Sequence, residues 1–166
     1  MMERPRARLA DLPQVGILIY EPEATVRSVL RGILHGAGAR LIMTASGPEQ
    51  LHDPLIASKT GLMMVRLALG AELTTAVRHG RVAIRPDLPI VAFQAAPTLH
   101  DVYRGLKLGI DEFVALPFTG RAVMAKVATA LETPKPMVAT PDYVGPDNAA
   151  MLKALADAAR RQGAPR

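Results

Sequence analysis

The sequence has no cysteine and no tryptophan, and three tyrosines and three phenylalanines are its only aromatics. Without a thiol there can be no disulfide, no thiolate metal ligand and no cysteine nucleophile. Six aromatics in 166 residues are too few for a stacking platform that reads single-stranded nucleic acid. Apolar runs such as 15–20 and 62–65 fall far short of the ~20 residues a membrane-spanning helix needs. The first apolar stretch ends at Glu21 with no small-residue cleavage site, so it does not read as a secretory leader. The protein is therefore expected in the cytoplasm.

A concentrated basic patch is also missing. The formal charge is +5, but residues 1–13 carry three basic and two acidic side chains, 14–133 twelve and ten, and 134–166 five and three. That spread lacks the electrostatic footprint of a nucleic-acid surface, and neither a nucleic-acid nor a membrane partner is expected. Arg4, Arg6 and Arg8 form the densest cluster and read as a solvated, mobile terminus.

What is present is the composition of a globular chain, 49% hydrophobic and 21% charged. A chain of 166 residues suits one domain with something left over. It can bury roughly 70% of the surface its unfolded form exposes, so it needs no staples. Short apolar runs alternate with amphipathic segments. VGILIY (15–20), ARLIMT (39–44), GLMMVRL (61–67), LPIVAFQ (88–94) and DEFVAL (111–116) read as buried strands. Val26, Val29, Leu30, Ile33 and Leu34 keep helical spacing after the first strand, with Pro22 suited to the first turn and Gly36 and Gly38 closing the helix. Residues 47–57 read as a weaker helix that Asp53-Pro54 interrupts or restarts, and 72–80 as another. Thr98 and Thr119 are placed to cap helices running to Leu108 and to about Leu131.

Five nearly continuous apolar strands alternating with helices predict a parallel sheet covered on both faces. Five such units in about 120 residues fit the flavodoxin-like doubly wound α/β fold with strand order 2-1-3-4-5, where a barrel would need about 250 residues. Ligands of such sheets sit beyond the carboxyl ends of the strands. No glycine-rich phosphate loop follows any strand, and EPEA after the first strand offers no nest of amides. His35, His52, His79 and His100 have no partners at metal-ligand spacing. No nucleophile elbow of the G-x-S-x-G kind occurs. The residues thus point to no metal, no cofactor and no enzyme.

The run ILIYEPEATVRSVLRGIL resembles the start of a CheY-like response-regulator receiver, whose first strand ends in an acidic pair. LMMVRL resembles the receiver's third strand, LPIVAFQA its fourth, and GLKLGIDEFVALPFT the segment that ends in lysine-proline. The resemblance covers about residues 14–133 and rests on four stretches in the right order and spacing rather than on one diagnostic motif. It implies the CheY-like fold and a role in two-component or phosphorelay signalling. A working receiver holds Mg²⁺ with the acidic pair and a phosphoacceptor aspartate, and a lysine and a hydroxyl complete the site. Here Glu21 and Pro22 stand at the acidic pair, Arg66 at the aspartate, Gln94 at the hydroxyl and Leu116 at the lysine. Only Glu21 keeps its chemistry. An arginine cannot accept a phosphoryl group, and a guanidinium in the cup repels a divalent cation. Two placements of Arg66 are open: bonded to Glu21 in place of the metal and lysine, or turned to solvent. Leu116-Pro117 matches a peptide that is commonly cis in receivers, a structural feature rather than a catalytic one.

The resemblance also implies an interaction face built from the fourth helix, fifth strand and fifth helix. That face would offer His100, Tyr103, Arg104, Lys107, Phe113, Arg121 and Lys126, with Phe113 at the aromatic switch position. Residues 134–146, with four prolines in thirteen positions, read as an extended, semi-rigid linker, and 147–162 as a final helix with Leu152, Leu155, Ala156 and Ala159 in a narrow apolar stripe. One helix is too little for a DNA-binding domain, so it must pack on its own domain or on a partner. The resulting expectation is a degenerate receiver that is not phosphorylated and acts through protein contacts, with a homodimer through the interaction face or the last helix as one compatible arrangement. The alternative is a sensor in which Arg66 and Gln94 grip a small anion or nucleotide.

Overall fold

The computed structural model of the chain describes residues 1–163. Strands β1 (Gly16–Tyr20), β2 (Leu41–Ala45), β3 (Thr60–Arg66), β4 (Ile90–Ala95) and β5 (Glu112–Leu116) form one parallel sheet in the order β2-β1-β3-β4-β5. Helices α1 (Ala24–Gly36), α2 (Pro54–Lys59), α3 (Leu67–Arg78), α4 (Leu99–Leu108) and α5 (Gly120–Glu132) cover its two faces. This is the doubly wound CheY-like arrangement.

The alternation of side chains along the strands sorts the core into two halves. Leu62 and Met64 of β3, with Val91 and Phe93 of β4, pack beneath Leu30 and Leu34 of α1 and Val123 and Val127 of α5. Met63 and Val65 face the other way, with Ile90 and Ala92, beneath Leu73 and Val77 of α3. Both faces are buried, which is why the strands read as unbroken apolar runs in the sequence.

Helix boundaries follow from local chemistry. Thr98 accepts a hydrogen bond from the Asp101 amide while Asp101 accepts from Thr98, a capping box that starts α4. Gly109, at φ 98°, closes α4 in the left-handed conformation that glycine alone adopts without strain. Thr119 caps α5 through the Ala122 amide. Pro22 lies outside α1, whose cap position is Glu23. The 47–57 region is a short 3₁₀ turn, Pro48–His52, followed by α2 with Asp53 accepting from the Leu55 amide; Asp53-Pro54 restarts the helix. Helix α3 begins directly after β3 at Leu67, five residues earlier than the 72–80 reading, because the apolar run continues from strand into helix without a turn signal.

Two expectations fail at the ends. Residues 134–146 are not an extended linker: β6 (Met137–Thr140) and β7 (Tyr143–Pro146) form an antiparallel hairpin closed by the two-residue turn Pro141-Asp142. The arginine-bearing head is not wholly a solvated terminus either: Arg6 and Arg8 are exposed, but the segment packs on the domain. Met2 pairs with Met137 as an added bridge, and Leu12, in the 3₁₀ turn Leu9–Gln14, is 2% exposed in the core. Arg4 is buried, its guanidinium paired with Asp111 and its Nε donating to the Asp87 carbonyl at 2.6 Å. The physical reason is Asp111 at the start of β5. It sits at the foot of the sheet between Arg4 and the fully buried Arg78, whose Nη2 lies 2.9 Å away. Arg78 also donates to the carbonyls of Gly109, Pro86 and Leu88, so every side of the guanidinium is used. Burial pulls the Arg78 pKa below its usual value, partly offset by Asp111.

Helix α6 (Ala149–Gly163) follows the hairpin and lies along α4. Its root is fixed by Asn148, buried, whose Nδ2 donates to the carbonyls of Leu106 (3.1 Å) and Ile110 (2.9 Å) at the end of α4. No helix among the described residues is long and apolar enough to cross a membrane.

Candidate functional site

The carboxyl ends of β1 and β3 are neighbours, with Tyr20 in register with Val65. Glu21 and Arg66 therefore leave adjacent strands at the same edge. Of the two placements open for Arg66, the structure has the internal one: its Nε donates to Glu21 Oε2 at 2.8 Å. Its Nη2 reaches Glu23 Oε2 at 3.3 Å, so the guanidinium spans two carboxylates rather than holding one in a fork. Glu21 is wholly buried, and its second oxygen accepts from the Glu23 amide at 2.8 Å. Both oxygens of the only carboxylate buried at this edge are thus engaged by protein groups.

Other residues hold this pair in place. The Arg66 guanidinium carbon lies 5.9 Å from the centre of the Phe93 ring, which meets Phe118 edge-on at 5.4 Å. Arg27, one turn into α1, donates to the carbonyls of Glu21 and Pro22, both at 2.7 Å, and pins the strand-to-helix loop. Sequence reading missed Glu23 and Arg27. The second carboxylate of the EPE run was the available signal for Glu23, whereas an arginine in the first turn of a helix carried none.

Pro22 is exposed and contributes only its carbonyl. Leu116 packs with Phe118 on the α1–α5 side of the core, so no cation stands at that position, and the Leu116-Pro117 peptide is cis. Gln94 does not join Arg66. Alternation sends Arg66 to the side of Met64 and Phe93, and Gln94 to the side of Ala92, where it lines a separate cavity of about 280 Å³ between α3 and α4 with Asp101, Arg104 and Gly105.

A divalent cation is what the fold leads one to test here. The residues do not fit it. The anionic groups are Glu21 and Glu23, both already bonded to Arg66, and Mg²⁺ would have to displace a guanidinium to reach them. Among the described residues no three His, Asp or Glu side chains converge on a common point.

On the α4–β5 side, Phe113 is half-buried and packs against the α3 core. A Cβ on Gly105 would come within 2.5 Å of its ring, so the glycine makes room for the inward ring. Tyr103 and Lys107 are exposed on α4, with the ammonium 6.0 Å from the tyrosine ring centre. Arg104 and Arg121 are exposed; Lys126 instead pairs with Glu112 at 3.0 Å.

No protein-family model matches the chain. Among curated proteins it is 26% identical over 124 residues to the phosphate regulon transcriptional regulatory protein PhoB of Pseudomonas aeruginosa, covering 72% of this chain and 53% of that protein. It is 29% identical over 121 residues to the probable transcriptional regulator ycf27 of Porphyridium aerugineum, covering 69% and 47%. The chain is homologous to response regulators. It spans about half the length of the curated relatives it matches. Solved receivers share the fold. The chemotaxis protein CheY4 of Vibrio cholerae superposes with a TM-score of 0.62 at 16% identity, over 71% of this chain and 99% of that one. NtrX of Brucella abortus superposes with a TM-score of 0.61 at 18% identity over 90% of this chain and 30% of that one, which reaches beyond the five-stranded domain.

Proposed function

We propose that this chain is a receiver-fold signalling module that takes up no phosphoryl group and acts by protein contact. The observation that carries this reading is Arg66 at the end of β3, its Nε 2.8 Å from the buried Glu21 carboxylate. A phosphoacceptor needs a nucleophilic carboxylate beside a cation-binding cup. A guanidinium offers no such oxygen, and it neutralises the one buried carboxylate present. In this reading Glu21, Pro22, Arg66, Gln94 and Leu116 are the remains of a phosphorylation pocket, Pro117 shapes the loop, and Tyr103, Arg104, Lys107, Phe113 and Arg121 belong to the contact face.

The small-anion reading needs Arg66 and Gln94 to close on one ligand. Arg66 is spent on two carboxylates and Gln94 lies on the other side of the sheet edge, so no observation favours it.

Incubation of the full chain with acetyl phosphate and Mg²⁺, followed by intact mass, tests the proposal. The expected result is no mass gain. A gain of one phosphoryl group on a carboxylate would overturn it.

A further inference from the structure

We propose that the cleft at the foot of the sheet binds a small organic molecule carrying a diphosphate group. The cleft lies at the opposite end of the strands from Arg66. It goes beyond the protein-contact reading and does not depend on it.

The first observation is the cleft itself, a cavity of about 320 Å³ beneath β1 and β3. Its walls come from five stretches far apart in the chain: 5–7 of the head, 14–16 entering β1, 58–61 between α2 and β3, 85–89 before β4, and Leu131 of α5. The head closes one side. Arg4 is tied to Asp111, and the Ala7 amide donates to the Leu131 carbonyl at 3.0 Å. A volume of this order is that of a small-molecule site and far exceeds what one water needs.

The second observation is charge. Arg6, Lys59 and Arg85 border the cleft against a single carboxylate, Asp87. Asp87 pairs with Arg85 at 3.4 Å. Among the described residues neither Arg6 nor Lys59 has an ion-pair partner. Arg6 also borders a smaller cleft with Glu3, without pairing to it. Lys59 stands in the last turn of α2, where a cation complements the helix end, but Arg6 and Arg85 belong to no helix. The buried cluster behind the cleft adds to the field rather than cancelling it. Arg4 and Arg78 share the one carboxylate of Asp111, and Arg4 donates to the Asp87 carbonyl.

The third observation is the rest of the lining. Gly16 and Gly61 bring bare backbone to the cleft, and a Cβ on Gly16 would lie 1.8 Å from the Lys59 carbonyl. The register between β1 and β3 shifts here and passes over Gly61, the kind of irregularity that leaves backbone polar groups unpaired. Pro5, Ala7, Val15, Pro89 and Leu131 are apolar. An inorganic ion would leave these side chains uncovered, whereas an organic body covers them. Two free cations and a third shared with Asp87 match the charge of a diphosphate, and guanidinium groups fit phosphate oxygens in a fork.

The test is calorimetric titration of the full chain at constant ionic strength with ADP, pyrophosphate, inorganic phosphate, citrate and adenosine. ADP is expected to bind most tightly, pyrophosphate next, and the other three at least about tenfold more weakly than ADP, since each lacks the diphosphate. Arg6→Gln and Lys59→Gln should each weaken ADP binding about tenfold, the loss of one charge-assisted hydrogen bond. Both residues are exposed, so the far-UV spectrum and the urea midpoint should stay unchanged. Arg121→Gln, which removes the same charge at the other end of the sheet, should leave ADP binding unchanged. Binding of neither ADP nor pyrophosphate would overturn the proposal. So would citrate binding as tightly as pyrophosphate, or a loss from Arg121→Gln equal to that from Arg6→Gln, which would reduce the effect to general charge attraction. ADP binding more weakly than pyrophosphate would overturn the assignment of an organic body.

Discussion

One substitution of charge sign sets the chemistry of the strand ends. Glu21 is buried and both its oxygens are bonded, one to the Glu23 amide and one to Arg66. Removing Arg66 strands that carboxylate in the interior. Because Arg66 is itself about a quarter exposed, Arg66→Ala is expected to cost about 2 kcal/mol, below the range for a fully buried pair. Urea unfolding measures it, and a cost near zero would mean that Glu21 finds water or another donor. Reversing the charge is the complementary experiment. The double variant Arg66→Asp, Pro22→Asp places two new carboxylates beside Glu21 and removes the guanidinium. It is expected to gain Mg²⁺ binding detectable by calorimetry where the wild-type chain shows none. Failure to bind would mean that position 66 does not occupy the acceptor place of the receiver fold. The Arg66–Glu21 contact was half legible in the sequence: strand ends can be aligned by register, but whether a long side chain turns inward depends on the Phe93 ring and the buried carboxylate, which only packing reveals.

At the scale of elements, the five strands were legible because parallel strands buried on both faces read as apolar runs, and the caps because Thr98 and Thr119 stand just before helical periodicity. The hairpin β6–β7 was not. Its prolines suggested extended chain, but Pro141 sits in the turn, and Pro136 and Pro146 offer carbonyls where no amide is needed. The hairpin carries a pH-sensitive contact. The Tyr143 hydroxyl donates to the Pro146 carbonyl at 2.7 Å, and burial pushes its pKa from 10.0 up to about 12, with Arg78 pulling the other way. The folded chain therefore holds the phenolic proton more tightly than the unfolded chain. The stability this provides is complete below about pH 10 and is lost as pH rises through about 12. Since the ring is half-buried, screening reduces the effect to the order of 1 kcal/mol. Between about pH 9 and about pH 11.5 the wild-type chain should lose about 1 kcal/mol more than Tyr143→Phe in urea titrations. Parallel losses in the two proteins would show that the hydroxyl is not coupled to folding.

At the scale of the molecule, the buried ion cluster at the foot of the sheet decides what counts as the domain. An arginine in a terminal run and another at a helix end both read as solvated, so nothing in the sequence marked Arg4 and Arg78 as interior. Yet they converge on Asp111, whose Oδ2 also accepts from the Ile90 amide, while Lys135 donates to the Asp111 carbonyl at 2.6 Å. The head, the foot of β4 and the end of α3 are thereby joined through one carboxylate, and the chain entering the hairpin through the backbone carbonyl of the same residue. Asn148 adds a further bond from the far side of the hairpin to the end of α4. A chain cut to residues 14–133 keeps every strand of the sheet but loses Arg4, Lys135 and Asn148 together. It leaves Asp111 with Arg78 and the Ile90 amide, at a site that has lost its cover from the head and from the chain entering the hairpin. If the flanks were a mobile head and a linker, the cut chain would unfold at the same urea concentration as the whole. The buried cluster instead predicts a loss of at least about 3 kcal/mol, the scale for breaking a buried charge network by removing a partner. It also predicts that the intact chain unfolds in a single transition seen identically by far-UV circular dichroism and tyrosine fluorescence. Equal midpoints for the two chains, or an early separate transition in the whole chain, would show that the flanks ride on the sheet rather than complete it.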